Sequence, residues 1–533
     1  MTDETDDIDR LAQWAREQPG KVAVRMIDGD LIWTLNYAEL DEKSRRAAHW
    51  LIGLGLNAGE SLALLMENRL DLFVLAWAAR RAGLYYTPVS PHLHPSEVAY
   101  ILNDCDARLL VCTQHTLELA RDIGAGQNNG ESAAGWDGLR YLLNSDAPGW
   151  GRVDQELARH APAAPLPQRP VGRDFLYSSG TTGKPKGIKR PLTPWAGRLR
   201  DTFESVLWRE YFGLGRDSVY LTMAPLYHAA PLRTVMRNID WGGASIVTRR
   251  FDAQEALQLI ARWRVTHSQW VPTMMIRMLA LPPQVRAAAD VSSMKVAIHA
   301  AAPCPPEVRR NMIEWWGPVW YEYYGGSEGI GLTAIDSALW LQKPGSVGRP
   351  VLGTIHIKDE QGRELPPGRQ GLIWFSGTPR FEYHNDPEKT AAAYDAQGCA
   401  TFGDIGHVDE DGFLFLSGRR TDLILSGGVN IYPQEIENLL VTFPGVLDVA
   451  VIGVPHPEFG EEVKAVVELA HPADASPELA ARIIDFCRQR LSHVKCPRSI
   501  DFTERLPRRE NGKLYKRLLM DQYAAHQPPP LPV

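Results

Sequence analysis

The sequence predicts an α/β protein with a large N-terminal domain of parallel-rich sheets covered by helices, a small β-barrel-like unit within it, and a smaller C-terminal α+β domain. Amphipathic segments alternate with short apolar runs over residues 8–123 and again over about 175–335. Short strands separated by turns follow, and an α/β alternation restarts over 422–525. Such alternation favours a largely parallel sheet covered on both faces. We therefore expect two domains and one β unit, at 1–420, 421–533 and 345–418.

Local periodicity predicts the individual elements. Apolar residues such as Leu40, Ala47 and Leu51 recur at helical spacing before a glycine-containing end at Gly55. Segments 124–135 and 161–170 are rich in turn-forming residues and are expected to be surface loops. The main predicted elements are the helices Tyr37–Gly55, Leu70–Ala82, Pro433–Val441 and Glu478–Leu491, and the strands Ser61–Met66, Arg108–Val111, Val446–Gly453 and Lys464–Leu469.

Composition excludes several classes of protein. The 533 residues are 44% hydrophobic and 23% charged, which is typical of a globular chain and not of a disordered one. A net charge of −7 argues against nucleic acid as a partner. The acidic start is unlike a signal peptide, and the most apolar run, Leu72–Ala79, is too short to cross a bilayer. We therefore expect a cytoplasmic protein without stable membrane insertion.

The segment with the most specific chemistry runs from Tyr177 to Gly187. It begins within the end of a predicted strand at Phe175–Ser179. Its glycines free backbone N–H groups to face an anion, its hydroxyls add donors, and its lysines neutralise polyphosphate charge. It is not a Walker loop, because Ser178 replaces the first glycine of that pattern and Pro185 follows its lysine. The segment predicts a nucleotide-phosphate site built from Ser178, Ser179, Gly180, Thr181, Thr182, Gly183, Lys184 and Lys186.

Tyr177–Gly187 resembles the phosphate loop of the acyl-adenylate-forming superfamily. This superfamily includes acyl-CoA synthetases, carrier-protein adenylation domains and firefly-type luciferases. Seven further segments resemble its motifs and occur in its order along the chain, so the resemblance spans residues 177–513. These segments are Tyr227–Pro231, Ala301–Pro303, Tyr324–Glu328, Gly403–Asp404, Gly418–Arg419, Ser426–Pro433 and Pro507–Lys513.

The resemblance implies a site for the adenosine part of ATP. Tyr324 would stack on the adenine, because an aromatic face suits a flat base. Ala301, Ala302 and Pro303 would form the turn on the adenine side. Asp404 would accept hydrogen bonds from the two ribose hydroxyls, which requires an acceptor with two oxygens.

The resemblance also implies contacts around the phosphates. Glu328 would hold Mg2+, a hard cation that prefers carboxylate oxygens. Ser327 would supply a hydroxyl near the α-phosphate, in a position where the superfamily usually has threonine. Arg419 would support the ribose or a phosphate. Phe402 also stands where threonine is usual, so hydroxyl contacts at that position are not expected here.

Lys513 is the predicted catalytic residue. The resemblance implies that its ammonium approaches both the carboxylate and the α-phosphate during adenylation, where negative charge develops. It also implies a mobile C-terminal domain that withdraws this lysine and admits the thiol in a second pose, with the hinge near Thr421. Gly427 and Gly428 would let the backbone approach the pantetheine arm of coenzyme A.

The acyl pocket is predicted from positions that resemble those lining the superfamily's carboxylate-side cavity. The small residues Ala300 and Gly325 would leave room for a bulky or long acid. Trp270 is equally explicable as a core residue, and His299 as a structural histidine. The candidate pocket residues are His228, Val235, Trp270, His299, Ala300 and Gly325.

Together these features predict an ATP-dependent carboxylic acid–CoA ligase that forms acyl-AMP and pyrophosphate before transferring the acyl group to CoA. The expected cofactors are ATP, Mg2+ and coenzyme A, and the acid is expected to be hydrophobic: medium or long chain, aryl, or alicyclic and steroid-derived. One alternative is an adenylating enzyme that loads a carrier-protein phosphopantetheine. A second is a non-catalytic nucleotide-binding relative, and a third is a luciferase-like oxygenase. The oligomeric state is left open, with a homodimer among the alternatives.

Overall fold

The structure is a computed structural model that describes residues 9–123, 136–162, 164–178, 185–508 and 512–525. The chain divides into two compact units. The first comprises Met1–Gln269, Asp290–Val296 and Phe381–Thr390, and the second comprises Trp270–Ala289, Ala297–Arg380 and Ala391–Val533.

Seventeen α-helices form within the described part of the chain. They are α1 (Arg10–Glu17), α2 (Tyr37–Gly53), α3 (Leu70–Ala82), α4 (Pro95–Asp104), α5 (Leu117–Asp122), α6 (Val153–Arg159), α7 (Phe203–Phe212), α8 (Ala229–Asp240), α9 (Ala253–Trp263), α10 (Pro272–Leu279), α11 (Pro283–Ala288), α12 (Pro306–Trp316), α13 (Ser337–Gln342), α14 (Pro387–Ala392), α15 (Pro433–Leu440), α16 (Pro477–Arg488) and α17 (Lys516–Ala525).

Twenty-six β-strands alternate with these helices over the same described ranges. They are β1 (Val22–Asp28), β2 (Leu31–Asn36), β3 (Ser61–Leu65), β4 (Tyr85–Val89), β5 (Ala107–Cys112), β6 (Leu139–Leu142), β7 (Gly151–Arg152), β8 (Arg173–Asp174), β9 (Leu176–Ser178), β10 (Lys186–Ile188), β11 (Val219–Thr222), β12 (Ala244–Thr248), β13 (His267–Trp270), β14 (Val296–His299), β15 (Trp320–Gly325), β16 (Leu332–Ile335), β17 (Ser346–Leu352), β18 (Thr354–Lys358), β19 (Gly371–Ser376), β20 (Asp404–Val408), β21 (Leu414–Arg419), β22 (Ile424–Ser426), β23 (Val429–Ile431), β24 (Val446–His456), β25 (Gly460–Leu469) and β26 (Ser499–Thr503).

A six-stranded parallel sheet lies in the first unit, in the order β7-β6-β5-β3-β4-β8. All residues of β3 and β4 are buried. A parallel strand covered on both faces reads as a continuous apolar run, which is why β3 was recognisable in the sequence. The same unit holds a second group of strands in the order β2-β1-β12-β11-β13, which is parallel except for the β1–β2 hairpin.

The helix predicted at Tyr37–Gly55 is α2, which ends two residues earlier. It begins after Asn36, whose side chain accepts from the backbone N–H of Glu39 while the Glu39 carboxylate accepts from the N–H of Asn36. This capping box satisfies two donors that a helix start leaves without partners. At the other end Gly55 has φ +80°, a left-handed conformation that cannot continue the helix.

The second unit contains an eight-strand array in the order β14-β15-β16-β17-β21-β20-β19-β18. Its pairings are antiparallel from β15 onward, whereas β14 and β15 are parallel. The last five strands, β17 to β21, fall in the segment where the sequence predicts a β unit. Their hairpins place Asp404 on β20 directly opposite Arg419 on β21.

The C-terminal part of the second unit has its own sheet, in the order β23-β22-β25-β24, with β26 parallel to β25. Helices α15 and α16 pack on this sheet around the buried residues Ile436, Val451, Ala465 and Ile483. This is the α+β arrangement that the sequence predicts for residues after 421. The domain limits at 1–420 and 421–533 stay a prediction.

No helix in the described ranges has both the length and the apolar character needed to cross a membrane.

Arg81 is a buried cation that ties α3 to two other segments of the first unit. Its side chain is 4% exposed and donates to Asp9, which caps α1, and to Asp41 on α2. Burial alone would raise the pKa of Asp9, but Arg81 lowers it to about 2. The guanidinium therefore keeps the largely buried carboxylate of Asp9 ionised.

Replacing Arg81 with methionine removes the cation that pairs with Asp9 and one of the two arginines that pair with Asp41. We expect the free energy of unfolding to fall by about 3–5 kcal/mol, measured by urea denaturation with circular dichroism. Arg121→Met is the control, because its ion pair with Glu118 has side-chain exposures of 45% and 81% and should be worth less than about 1 kcal/mol. Equal losses in the two variants would contradict the expected role of Arg81.

Candidate active site

The predicted phosphate loop connects the strands of a hairpin. Strands β9 and β10 pair antiparallel, with Ser178 opposite Lys186. At the base of the hairpin the Tyr177 hydroxyl donates to Asp104 Oδ2 at 2.5 Å, and Lys186 Nζ lies 5.0 Å from the ring centroid of Tyr383. The remaining predicted residues, Ser179, Gly180, Thr181, Thr182, Gly183 and Lys184, lie outside the described residues.

Three predicted nucleotide-binding side chains meet in the second unit. The Tyr324 hydroxyl donates to Asp404 Oδ2 at 2.6 Å, and Arg419 Nε donates to Asp404 Oδ1 at 3.1 Å. These residues belong to three segments that are far apart in the sequence. We call the three side chains the Asp404 group.

Electrostatics shift the pKa of Tyr324 and of Arg419 in the Asp404 group. Burial raises the pKa of Tyr324 well above its usual value, and the negative charge of Asp404 adds to the rise. The phenol therefore stays protonated and can only donate to this carboxylate. Burial alone would lower the pKa of Arg419, but the carboxylates of Asp404 and Asp422 raise it.

The predicted adenine-side turn contains an unusual backbone conformation. Ala301 has φ +74°, in the left-handed region that residues with a Cβ rarely adopt, and it is exposed. Such conformations cost free energy and cluster at ligand-binding and catalytic sites. This backbone conformation fits the predicted turn on the adenine side, and the role of the Ala301–Pro303 segment stays a prediction.

The turn that carries Ser327 and Glu328 is packed too closely for a side chain at Gly326. A Cβ there would lie 2.4 Å from the Phe402 ring and 2.5 Å from Glu328 Oε2. Glu328 and Ser327 are both partly buried. The Glu328 carboxylate thus lies beside the backbone of its own turn.

Phe402 fills the position where the superfamily usually has threonine. Its ring contacts the Tyr324 ring edge to face, at 5.7 Å between centroids and 84° between planes, and it contacts Phe375 at 5.9 Å. Phe402 therefore supports Tyr324 by an aromatic contact instead of a hydroxyl group.

The catalytic-lysine candidate follows a tightly packed glycine. Lys513 is partly buried, and Gly512 is buried with φ +78°. A Cβ at Gly512 would lie 3.1 Å from the side chain of Val271 and 3.5 Å from Thr273 Oγ1. Gly512 thus packs on the residue next to Trp270, one of the candidate pocket residues.

The glycine turn predicted to approach coenzyme A is the tip of the β22–β23 hairpin. Gly427 and Gly428 have φ +56° and +80°, and Ser426 pairs with Val429 across them. Two consecutive residues with positive φ form the tight turn that suits a two-residue hairpin. Both glycines are exposed, so the backbone at this tip is open to a ligand. Thr421, the predicted hinge residue, is exposed within a short 3-10 helix at Arg420–Asp422.

Most candidate pocket residues are buried in the cores of their units. Val235 lies on α8 of the first unit, and His228 precedes that helix as its N-cap and is partly buried. Trp270, His299 and Ala300 are buried in the second unit. A Cβ at Gly325 would lie 3.1 Å from the Gly331 carbonyl oxygen, so the small residue there allows close strand packing. That it also leaves room for the acid stays a prediction.

His299 belongs to a buried polar cluster that the sequence did not reveal. Arg309 Nη1 donates to Glu322 Oε2 at 2.5 Å, and His299 Nε2 lies 3.6 Å from that oxygen. Burial raises the pKa of Glu322 to about 7 and lowers the pKa of His299 well below its usual value. Neither ring nitrogen of the neutral His299 has a hydrogen-bond partner in the described part of the chain. His299 therefore lacks, among the described residues, the hydrogen bonds that a structural histidine would make.

Comparison with known proteins identifies the family. Residues 11–381 match the AMP-binding enzyme family, and residues 435–513 match the AMP-binding enzyme C-terminal domain. The chain belongs to the AMP-binding enzyme family.

Several curated relatives match almost end to end. The chain is 34% identical over 518 residues to a feruloyl-CoA synthase of Amycolatopsis sp., covering 95% of this chain and 97% of the relative. It is 30% identical over 535 residues to the long-chain-fatty-acid–CoA ligase FadD13 of Mycobacterium tuberculosis, with coverage of 97% and 99%. It is also 30% identical over 507 residues to the fatty acid–[acyl-carrier-protein] ligase ScoC of Streptomyces coeruleorubidus, covering 92% of each.

A solved structure supports the same grouping. ATP-bound MatB from Rhodopseudomonas palustris aligns with a TM-score of 0.79 and 27% identity, covering 97% of this chain and 99% of MatB. The predicted superfamily, α/β fold class and AMP-forming acid–CoA ligase activity are confirmed. The roles of individual residues stay predictions.

Tyr324→Phe removes the hydroxyl that orients Asp404 and keeps the ring. We expect the affinity for AMP, measured by isothermal titration calorimetry, to fall by about fivefold, the value of one such hydrogen bond. Tyr324→Ala should lower the affinity for AMP further, because it removes the aromatic ring as well as the hydroxyl. The control is Tyr523→Phe, which breaks a comparable hydrogen bond of 2.6 Å to Asp501 in the same unit. AMP affinity that is equal in Tyr324→Phe and the control would refute the role of the Asp404 group.

Proposed function

We propose that this enzyme activates a bulky hydrophobic acid, either aryl or long-chain, and transfers it to coenzyme A. In the first step an oxygen of the carboxylate attacks the α-phosphorus of ATP, and pyrophosphate leaves. In the second step the thiolate of coenzyme A attacks the acyl carbon, and AMP leaves. The observation that carries the assignment of the site is the Asp404 group, in which three predicted nucleotide-binding residues from distant segments share one carboxylate.

The adenosine end of ATP would be bound by the Asp404 group and the strained turn at Ala301. Asp404 has two oxygens, each with lone pairs left after the bonds to Tyr324 and Arg419. It can therefore also accept from ribose hydroxyls. The Phe402 contact limits rotation of the Tyr324 ring, which would present a fixed face to the base.

The phosphate end would be bound by the loop from Ser178 to Lys186. Mg2+ suits Glu328, because this ion is usually held by one or two carboxylates together with phosphates and water. The Glu328 carboxylate lies beside the backbone of Gly326. Mg2+ would neutralise charge on the departing pyrophosphate.

Lys513 would supply the positive charge at the reacting centre. The carboxylate and the α-phosphate are both anionic, and more charge develops on the equatorial phosphate oxygens as they approach. A partly buried ammonium counteracts that repulsion more strongly than a solvated one. The packing of Gly512 on Val271 supports this role, because it fixes the turn that leads to the lysine.

The second step would use a different pose of residues 421–533 relative to residues 1–420, with Thr421 as the hinge. The exposed tip at Gly427 and Gly428 supports a role in binding the pantetheine arm. Leu425 and Val429 flank the tip and are 53% and 41% exposed. They would offer apolar contacts to the arm.

The proposed acid class rests on the relatives and on the surroundings of Ala300. The relatives named above act on feruloyl and fatty acyl groups. Ala300 N–H donates to the Trp270 carbonyl, and the Trp270 ring contacts Trp316 at 5.9 Å. An aromatic and alanine environment would favour an apolar acyl group over a charged one.

A panel of carboxylic acids tests the function. We expect AMP and pyrophosphate release with ferulate, other aryl acids or palmitate to exceed release with acetate and succinate by at least about tenfold, the value of one or two buried methylenes. CoA-thioester should form in the same reactions, as detected by mass spectrometry. Preference for the small acids would refute the acid class.

Loading of a carrier protein is the second candidate function, because the relative ScoC is a fatty acid–[acyl-carrier-protein] ligase. Pyrophosphate release without CoA-thioester, followed by acylation of an added phosphopantetheinyl carrier, would favour it. Binding of ATP without acid-dependent pyrophosphate release would favour a non-catalytic relative.

Lys513→Ala should slow adenylation by about 10²–10³-fold, the effect of losing one transition-state donor. Adenylation is measured as acid-dependent pyrophosphate release. Thioester formation from supplied acyl-AMP should change much less, because the second pose withdraws this lysine. The control is Lys495→Ala, which removes an ion pair with Glu435 elsewhere in the same region. An equal fall in both half-reactions would disprove the assignment.

A further inference from the structure

Arg508 joins the turn before Lys513 to the C-terminal sheet. Its Nη1 donates to the Gly512 carbonyl oxygen at 2.8 Å. Its Nη2 donates to Asp448 Oδ1 at 2.7 Å, and its Nε is paired with Asp448 Oδ2. One guanidinium therefore connects a rigid strand, β24, with the backbone beside the candidate catalytic lysine.

Among the hydrogen-bond partners of Arg508, the Gly512 carbonyl is the one next to Lys513. It belongs to the same planar peptide unit as the backbone nitrogen of Lys513, so holding this oxygen fixes the direction in which the chain enters Lys513. An isolated antiparallel bridge between Arg508 and Leu514 and the hydrogen bond from Tyr515 N–H to the Pro507 carbonyl close the base of the turn. The hydrogen bond from Arg508 to the Gly512 carbonyl lies between these two pairs of residues.

Asp448 is itself held in place. It is 9% exposed, and its Oδ1 also accepts the backbone N–H of Val449 at 2.8 Å. The neighbouring carboxylate Glu437 is paired with Lys516 at 2.7 Å, and Glu468 accepts the N–H of Leu506. The anchor of Arg508 is thus a restrained carboxylate with a defined orientation.

We propose that Arg508 is a positioning residue for adenylation, which holds the Gly512–Lys513 peptide against Asp448 and so presents the Lys513 ammonium to the reacting groups. This inference rests on the proposed role of Lys513. Arginine suits the task because its planar fork can serve a carboxylate and a carbonyl at the same time. A lysine at 508 would keep the charge but could not hold both partners in this geometry.

The first experiment measures both half-reactions in Arg508→Ala, Arg508→Lys and Asp448→Asn. We expect adenylation to slow by about 10–100-fold in Arg508→Ala, because displacing a catalytic group by about 1 Å has effects of this size. Arg508→Lys and Asp448→Asn should show smaller losses in the same half-reaction. Thioester formation from supplied acyl-AMP should remain at the wild-type rate in all three, which also reports that they fold.

The matched control is Arg517→Ala. Its partner Asp521 lies on the same helix, and the two side chains are 56% and 67% exposed. Adenylation should be unchanged in this variant. A loss equal to that of Arg508→Ala would show that the assay responds to any change of charge in this region and would overturn the proposal.

A double-mutant cycle separates positioning from general stabilisation. If Arg508 acts through Lys513, adding Arg508→Ala to Lys513→Ala should cause no further loss of adenylation. Losses that multiply in the double variant would show an effect independent of the lysine and would overturn the proposal. Thioester formation that falls in parallel with adenylation in the milder Arg508→Lys would overturn it as well.

The outcomes also separate this inference from the proposed function. If Lys513→Ala leaves adenylation intact, the role of Lys513 fails, and the inference fails with it. If Lys513→Ala abolishes adenylation while Arg508→Ala and Asp448→Asn leave it at the wild-type rate, the proposed function stands and the positioning role alone is refuted.

Discussion

The interaction on which the candidate site depends is the sharing of the Asp404 carboxylate between two donors from other segments. A buried carboxylate that lacks partners is costly, so it must be paired or hydrogen-bonded. Tyr324 and Arg419 meet this requirement from β15 and β21, and the antiparallel pairing of β20 with β21 brings Arg419 opposite Asp404. The same bonds orient the carboxylate before any ligand arrives, which spares the binding step that ordering cost.

The sequence could predict much of the fold because its strongest signals are local. Leu70–Ala82 was predicted with the observed limits, and β3, β5 and α15 differ from their predicted limits by a residue or two. The miss at β24 and β25 has a physical reason. These strands continue to His456 and from Gly460 as a hairpin, in which polar residues such as Glu461 and Glu462 pair across strands. Apolar alternation cannot reveal polar residues such as these at the end of a hairpin.

The candidate site was predictable only where a short motif carries the chemistry. Lys513, Glu328 and Asp404 stand in such motifs, whereas their supports come from residues that no motif marks. Phe402 was noted only as a departure from a threonine, and the structure gives it a role under the Tyr324 ring. The cluster of Arg309 and Glu322 depends on the pairing of β15 with its neighbours and on the placement of α12, which are non-local. The open space inferred from Gly325 stays a prediction, because a missing side chain can serve backbone packing as well as a ligand.

The residues that position the candidate groups differ between adenylation and thioester formation, and the difference follows from the chemistry of the two half-reactions. Adenylation brings anions together, so its candidate groups need fixed charges in fixed directions. The residues around Tyr324 and Arg508 fit this need, since each is anchored by a buried carboxylate, Asp404 or Asp448. The glycine turn at Gly427 has a different construction, an exposed hairpin tip whose N–H bonds to the Phe459 carbonyl. A flexible, largely neutral thiol arm needs an accessible backbone and apolar edges more than it needs oriented charge.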